Sequence, residues 1–418
     1  MNKIKEFFKG DTFKKLRKRV PLGVVIGICV LPVLLTILFY ILRLNESIMY
    51  WVAVNISTPI RGFMALISSV YPFSITEILL TFAVIWLIYY LIKTISIVSR
   101  KREKLKVLSK RILLVFVLSL YAWSIFSWLW SSGYHATGFA KRNNLTNDGV
   151  AIEELIALTQ HFAEKANEFA PEVKRNSTGS FHENRNELFT TSTTVYKNIA
   201  AEFPELNKRL FRPKPMLYSW LMSRTAYSGM YFALTGEANI NNMIHGSILP
   251  STLAHEQAHH LGIFSEDEAN LVSILACIQS DDVVFAYSGY IKGLNYLLSA
   301  LYEAEVYIGR EAPETALEIN YIREEILESL AYEVKLDRWE NYEFWQSQKT
   351  VDTGVGFVDT ALTAVTDVVK DTVDTAYDGY LKAQRQELGI RSYGACVDLL
   401  VEYYKTNNII NIDGHDGS

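Results

Sequence analysis

The sequence predicts a mostly α-helical protein: three membrane-spanning helices at the amino-terminal end, then a mostly helical domain with a small β element. Three observations predict it. Long uncharged apolar runs are confined to residues 1–131. Basic side chains cluster at alternate ends of those runs. The rest of the chain is acidic and rich in helix formers. Residues 1–131 hold 18 basic and 5 acidic side chains, a balance of +13, so a net charge of −4 leaves −17 for the remaining 287 residues. With 21% charged residues the chain is not of a disordered type. Three cysteines exclude a disulfide scaffold and a four-thiolate zinc site. A pI near 6.1 gives no electrostatic case for nucleic acid as a partner.

The first run, Pro21 to Leu42, has no charged side chain until after Leu42, and can cross a hydrocarbon core of about 30 Å as a helix. It is long for a signal peptide, and no A-x-A cleavage pattern follows it. A second run covers Ile78 to Val98, with Lys93 near one end where its amine can reach the interface. The third, Ile112 to Ser131, ends in Trp123, Trp128 and Trp130, and indoles crowded at one end suit the membrane–water boundary. Lysines and arginines fill residues 1–20 and the link SRKREKLKVLSKR, whereas the link from Asn45 to Ser74 has only Arg61. Basic loops stay cytoplasmic, so the expectation is a cytoplasmic basic tail over 1–20, a membrane domain over 21–131 and an outer domain over 132–418. The apolar link between the first two spans reads as interfacial or re-entrant helices on the outer face. The lipid bilayer is thus an expected partner, but an outer domain this acidic should be repelled by anionic headgroups and meet the membrane mainly through its tether.

In the outer domain, Leu155 to Phe169, Asn186 to Phe203, Glu314 to Val334 and Val355 to Leu388 show helical spacing or strong helix formers. PMLYSWLMSRTAYSGMYFAL, aromatic and β-favouring, reads as a small hairpin or edge strand.

The chemistry is expected in ILPSTLAHEQAHHLGIFSEDEANLVSILAC. His255 and His259 lie four apart, on one face of a helix, where two imidazoles can reach one cation. Glu256 projects near the same position and can act as a base toward water. Zinc suits the pair, because imidazole is a good ligand and an open position leaves room for water. Gly262 is placed to end the helix in a left-handed cap with Ile263 after it. Ser265 starts a second helix, with Glu268 three residues on in a capping box. Glu266 and Asn270 share a face of that helix, offering a carboxylate ligand and an amide to orient a histidine ring. Glu266 is favoured over Glu268 as third ligand, since Glu268 has the cap to close.

These residues carry a resemblance. His255-Glu256-x-x-His259 followed by Glu266-x-x-x-Asn270 looks like zinc peptidases whose third ligand is the glutamate of an E-x-x-x-D or E-x-x-x-N helix; the CaaX-type peptidases carry aspartate where this chain has Asn270. More closely, the three leading spans, FALTGEANIN, LAHEQAHHLGIFSEDEANLVSILAC, YSGYIKGLNYLL and LKAQRQELGIRSYGACVDLL resemble a bacterial membrane family described as domain of unknown function 3810. The resemblance implies a zincin-like outer domain, a bacterial cell membrane and an extracytoplasmic site, and assigns no substrate. His260 departs from the glutamine expected there and is left out of the ligand set.

Tyr287 is a candidate donor to the oxyanion of a tetrahedral intermediate, with Tyr290 beside it and His245 as another possibility. FALTGEANIN is a candidate edge strand for a peptide substrate. Cys277 and Cys396 could pair outside the cell. The expected function is a membrane-anchored zinc metallopeptidase that hydrolyses an extracytoplasmic peptide or protein, with one Zn2+ held by His255, His259 and Glu266 and with Glu256 as base. The alternative is a membrane scaffold or sensor with a structural metal site and a partner-binding outer domain. A transporter is disfavoured because the spans carry almost no ionisable residue in their middles.

Overall fold

A computed structural model of the chain describes residues 22–100, 103–145, 149–350, 356–384 and 396–409. The mostly helical expectation holds. Helix α1 is Leu22–Leu42. Asn45 then caps α2, Glu46–Val52, by accepting from the Ile48 amide, and a π-helical turn at Ala53–Ser57 carries the chain into α3, Thr58–Ser68. Helix α4 is Ile75–Arg100, and α5, Lys104–Phe126, continues through a π-helical turn at Ser127–Ser131 as far as Tyr134. Among the described residues, two helices rather than three are long and apolar enough to cross a membrane, Ile75–Arg100 and Lys104–Tyr134. The apolar stretch of α1, Ile26–Leu42, is shorter. The basic tail over 1–20 lies outside the described residues.

The link between α1 and α4 is a bent helical segment, and its single basic residue is inside the protein: Arg61 has no exposed surface. Trp130, expected at the lipid boundary, is also buried. It sits within the π-helical turn at Ser127–Ser131 that continues α5.

Beyond α5 the main helices are α6, Ile152–Phe169; α7, Ser219–Arg224; α8, Leu249–Leu261; α9, Glu266–Ile278; and α10, Val283–Ile308. They are followed by α11, Pro313–Ser329; α12, Tyr332–Ser347; α13, Gly356–Ala383; and α14, Cys396–Thr406. Helices α8, α9 and α10 pack on one another, with α6 across α10, around a core that includes Phe162, Leu253, Leu271, Leu275 and Leu294. Gly293 permits the α6–α10 approach, since a Cβ there would stand 2.3 Å from the Phe162 ring.

Two expected helices are interrupted. Residues 186–203 break into short helical pieces, Arg185–Thr191, Ser192–Thr194 and Ile199–Glu202, where Ser192, Thr193 and Thr194 each donate a hydroxyl to the carbonyl three residues back and compete with the helix ladder. Residues 314–334 split at Leu330, where the Asn167 amide of α6 accepts from Ala331 N at 2.7 Å and donates to Ser329 O at 3.0 Å.

The β element is a three-stranded sheet in the order β1-β3-β2: β1 is Lys214–Pro215, β2 Gly229–Phe232 and β3 Glu237–Ile240. β1 runs parallel to β3 and β2 antiparallel to it. FALTGEANIN therefore supplies the buried middle strand, not an edge; the outer strand beside it is Gly229–Phe232. β3 is buried between its two neighbour strands, α8 and the start of α4. Glu237 accepts from Ile75 N at 3.1 Å and from Thr76 N at 2.8 Å, capping the start of α4 with a carboxylate where the helix dipole favours one.

Candidate metal centre

Gly262 adopts φ +100 and closes α8 in the expected left-handed cap. The short turn after it brings the start of α9 back beside the last turns of α8, so His255, His259 and Glu266 meet. Their imidazole and carboxylate ligand atoms all lie within 4.8 Å of one another. Glu266 stands 3.2 Å from His255 Nε2 and 3.7 Å from His259 Nε2. Ligands about 2.0–2.1 Å from a shared ion in tetrahedral array are separated by about 3.3 Å, so these spacings suit zinc. His259 Nδ1 donates to the Ile263 carbonyl at 2.8 Å, which leaves Nε2 as the free donor atom and fixes the ring. The group fits a zinc ion in donor type, spacing and burial.

Glu268 is elsewhere. Its amide meets Ser265 Oγ at 3.5 Å, but its carboxylate accepts from Ala140 N at 2.8 Å instead of turning back to close the capping box. Asn270 does not orient a ring: its amide nitrogen and His255 Nδ1 are both buried with no hydrogen-bond partner among the described residues. His260 points away, toward Arg209 O at 3.2 Å, and burial lowers its pKa to about 4.

Electrostatics divide the carboxylates. Burial raises Glu256 to about 7, against the pull of His259. Burial also opposes ionisation of Glu266, yet His259 and His255 hold it well below the usual range. Burial lowers His255 to about 4. One acid is thus held ionised beside the two imidazoles, while burial brings its neighbour close to neutral pH. Glu256 rests against β2, where a Cβ on Gly229 would fall 2.5 Å from its Oε1. The strand nearest Glu256 is therefore an outer one, β2.

Several residues at the centre were not legible in the sequence. Tyr377 of α13 donates its hydroxyl to Glu266 Oε1 at 2.6 Å. Trp130 stands edge-on to the His259 ring, 5.4 Å between centroids. Arg61 donates to the His259 carbonyl at 2.9 Å and to Thr58 Oγ1 at 3.1 Å, and its guanidinium lies 4.7 Å from the Phe264 ring centroid and 5.4 Å from that of Tyr231. Lys292 of α10 faces the same interior: burial lowers its pKa, and Cys277, Cys396, Glu256 and Glu266 act on its charge. Its segment, YSGYIKGLNYLL, stood out in the sequence, but nothing in the spacing singled out the lysine.

Other candidates have different work. Tyr287 is buried and donates to Asp337 at 2.5 Å, in a network with Arg175, which grips Asp337 at 3.0 and 2.9 Å. Its hydroxyl is committed there, so the oxyanion role does not carry over to Tyr287. Tyr290 packs on Phe162 and Phe169 in the core. His245 sits 3.2 Å from Glu340 and 2.8 Å from Ser247 Oγ. His245, Asp337 and Glu340 have ligand-like spacing, but the arginine already neutralises Asp337. Cys277 and Cys396 are both buried, each raised to about 12 by burial, and no disulfide joins them.

Fold and site together define a mostly helical protein, with two helices among the described residues long and apolar enough to cross a membrane and a buried two-histidine, one-glutamate group that could hold a metal. The chain belongs to the family described as "Protein of unknown function (DUF3810)", whose model matches residues 54–401. The match takes in α3 to α5 as well as α8 and α9. No curated protein and no solved structure gives a significant match.

Proposed function

We propose that this protein is a membrane-embedded zinc peptidase that hydrolyses peptide bonds of an extracytoplasmic peptide or protein, with α4 and α5 as spans and the basic link between them on the cytoplasmic side. The observation that carries this reading is the convergence of His255, His259 and Glu266 at zinc-ligand spacing, with Glu256 buried beside them. His255, His259 and Glu266 would hold the ion. Bound zinc supplies Lewis acidity to water and to a substrate carbonyl. Glu256 takes a proton from water at its carboxylate and passes it to the departing amine nitrogen, a role suited to a group raised to about 7 by burial. Tyr377 holds the Glu266 carboxylate by its hydroxyl, and Ile263 O holds the His259 ring. The outer strand β2 lies where an extended substrate chain could align beside Glu256, by strand addition.

The test is full-length protein in detergent with a fluorescence-quenched random peptide library. Glu256→Gln should retain zinc by elemental analysis and lose turnover on the order of 100-fold or more. Equal cleavage by both proteins would sink the peptidase reading and favour a scaffold with a structural metal.

A further inference from the structure

The first turns of α4 do more than enter the membrane: they hold a second apolar segment beside them. Glu77 is buried, and its carboxylate accepts from Leu217 N at 2.9 Å and from Tyr218 N at 2.6 Å. One turn further along α4, Thr81 Oγ1 donates to the Tyr218 hydroxyl at 3.2 Å. The Lys214 amine reaches back to the Tyr71 carbonyl. The start of α7 is thereby locked to the outer end of a helix long and apolar enough to cross a membrane.

What this lock presents to the outside is apolar. Leu217 is 86% exposed, Trp220 46% and Leu221 40%; from the turn before α4, Val70 is 77% exposed, Tyr71 46% and Phe73 43%. No charged side chain occurs from Pro215 to Ser223 or from Gly62 to Thr76, and the flanking Lys214, Arg224 and Glu77 are all buried. The patch runs directly into the exposed surface of α4, where Leu79, Leu80 and Phe82 are 48%, 41% and 66% exposed. A large exposed apolar patch marks a contact surface, and tryptophan with tyrosine beside aliphatic side chains is the composition of a membrane–water interface. In a domain whose other surfaces carry a strong negative charge, this uncharged patch is where approach to headgroups meets least repulsion.

We propose that Val70, Tyr71, Phe73, Leu217, Trp220 and Leu221 are seated in the outer leaflet of the bilayer that α4 crosses, so that lipid is the partner of this face. The inference rests on reading α4 as a span. It replaces the tether-only picture of the outer domain with a second, direct attachment. Because α7 leads within a few residues into β2, the seat also holds the strand beside Glu256 close to the bilayer surface, and the substrates it favours are chains anchored in that membrane.

The experiment uses the full chain with Cys29→Ser, reconstituted in phosphatidylcholine vesicles, with the environment-sensitive dye NBD on single added cysteines. Protein without an added cysteine is the blank for the buried Cys277 and Cys396. Leu217→Cys and Val70→Cys test the seat, Ile85→Cys in α4 tests the span, and Tyr321→Cys on the outer domain reports an aqueous site. Leu217 and Val70 labels should be quenched by a shallow nitroxide lipid several-fold more than the Tyr321 label, and by iodide several-fold less. Labels at 217 and 70 that behave like the one at 321, while the one at 85 is lipid-quenched, would overturn the seat and leave the span standing. No lipid quenching at 85 would remove the span reading and the seat with it. Labels at 217 and 70 shielded from both quenchers would mean that a second copy or another protein covers the patch, and would also overturn the proposal.

Discussion

Glu266 and Glu268 differ by half a turn of helix, and that offset decides their roles. Glu266 faces the histidines; Glu268 faces Ala140 N and satisfies a backbone donor that would otherwise be buried unpaired. The sequence favours Glu266 because a second job existed for Glu268, and the favoured residue is the one that meets the imidazoles, although the job turns out to be a different one. Tyr377 could not be found the same way. It lies 111 residues from Glu266, and a tyrosine in an amphipathic helix carries no mark of what it touches. Removing its hydroxyl leaves Glu266 Oε1 without that donor, and loss of such a partner commonly costs about 10- to 100-fold in metal affinity. Tyr377→Phe should therefore weaken zinc binding by that order, measured by competition with a chromogenic chelator. Affinity equal to the wild type would mean that the tyrosine does not position the ligand.

At the scale of elements, α8, its cap and α9 were all legible, because each is specified by neighbours in sequence: the i, i+4 histidines, the glycine at the cap and the serine that starts the next helix. The sheet was legible only as a tendency. Glu237–Ile240 lies in the middle because it pairs with strands on both sides, and its Glu237 also reaches the start of α4, some 160 residues earlier. The turn between β2 and β3 shows the consequence. Gly236 has φ +66, and a Cβ there would fall 2.4 Å from Arg61 O and 2.7 Å from Ala65 N. Both the conformation and the backbone contact exclude a side chain. Gly236→Ala should destabilise the protein by about 2 kcal/mol or more, since backbone strain alone costs roughly 1–3 kcal/mol. Thermal unfolding in detergent would show it, and an unchanged midpoint would mean that the turn does not pack on α3 in this way.

For the whole molecule, the step in charge and hydropathy near Ser131 is a boundary of composition, not of packing. Arg61 and Trp130, both on the apolar side of that step, are built into the wall of the metal centre, and Gly133 admits the Phe264 ring to 2.1 Å of where its Cβ would be. A chain beginning at Ser132 should leave the last turn of α8 without its arginine and its aromatic cover, expose β3, and fail to hold zinc stoichiometrically. Elemental analysis and circular dichroism of that fragment would check this. A folded fragment binding one zinc ion would show that the membrane segment is only a tether.

The sequence by itself determined the helical character, the apolar runs and the grouping of His255, His259 and Glu266, because each rests on periodicity or spacing within a few turns of one segment. Only the tertiary structure decided that the first apolar link is part of the site, that β2 is the outer strand, that Tyr377 meets Glu266 and that Tyr287 does not. The Arg61 and Tyr377 contacts join residues more than a hundred positions apart, and the others also depend on which segments pack together, which leaves no periodic trace in the chain.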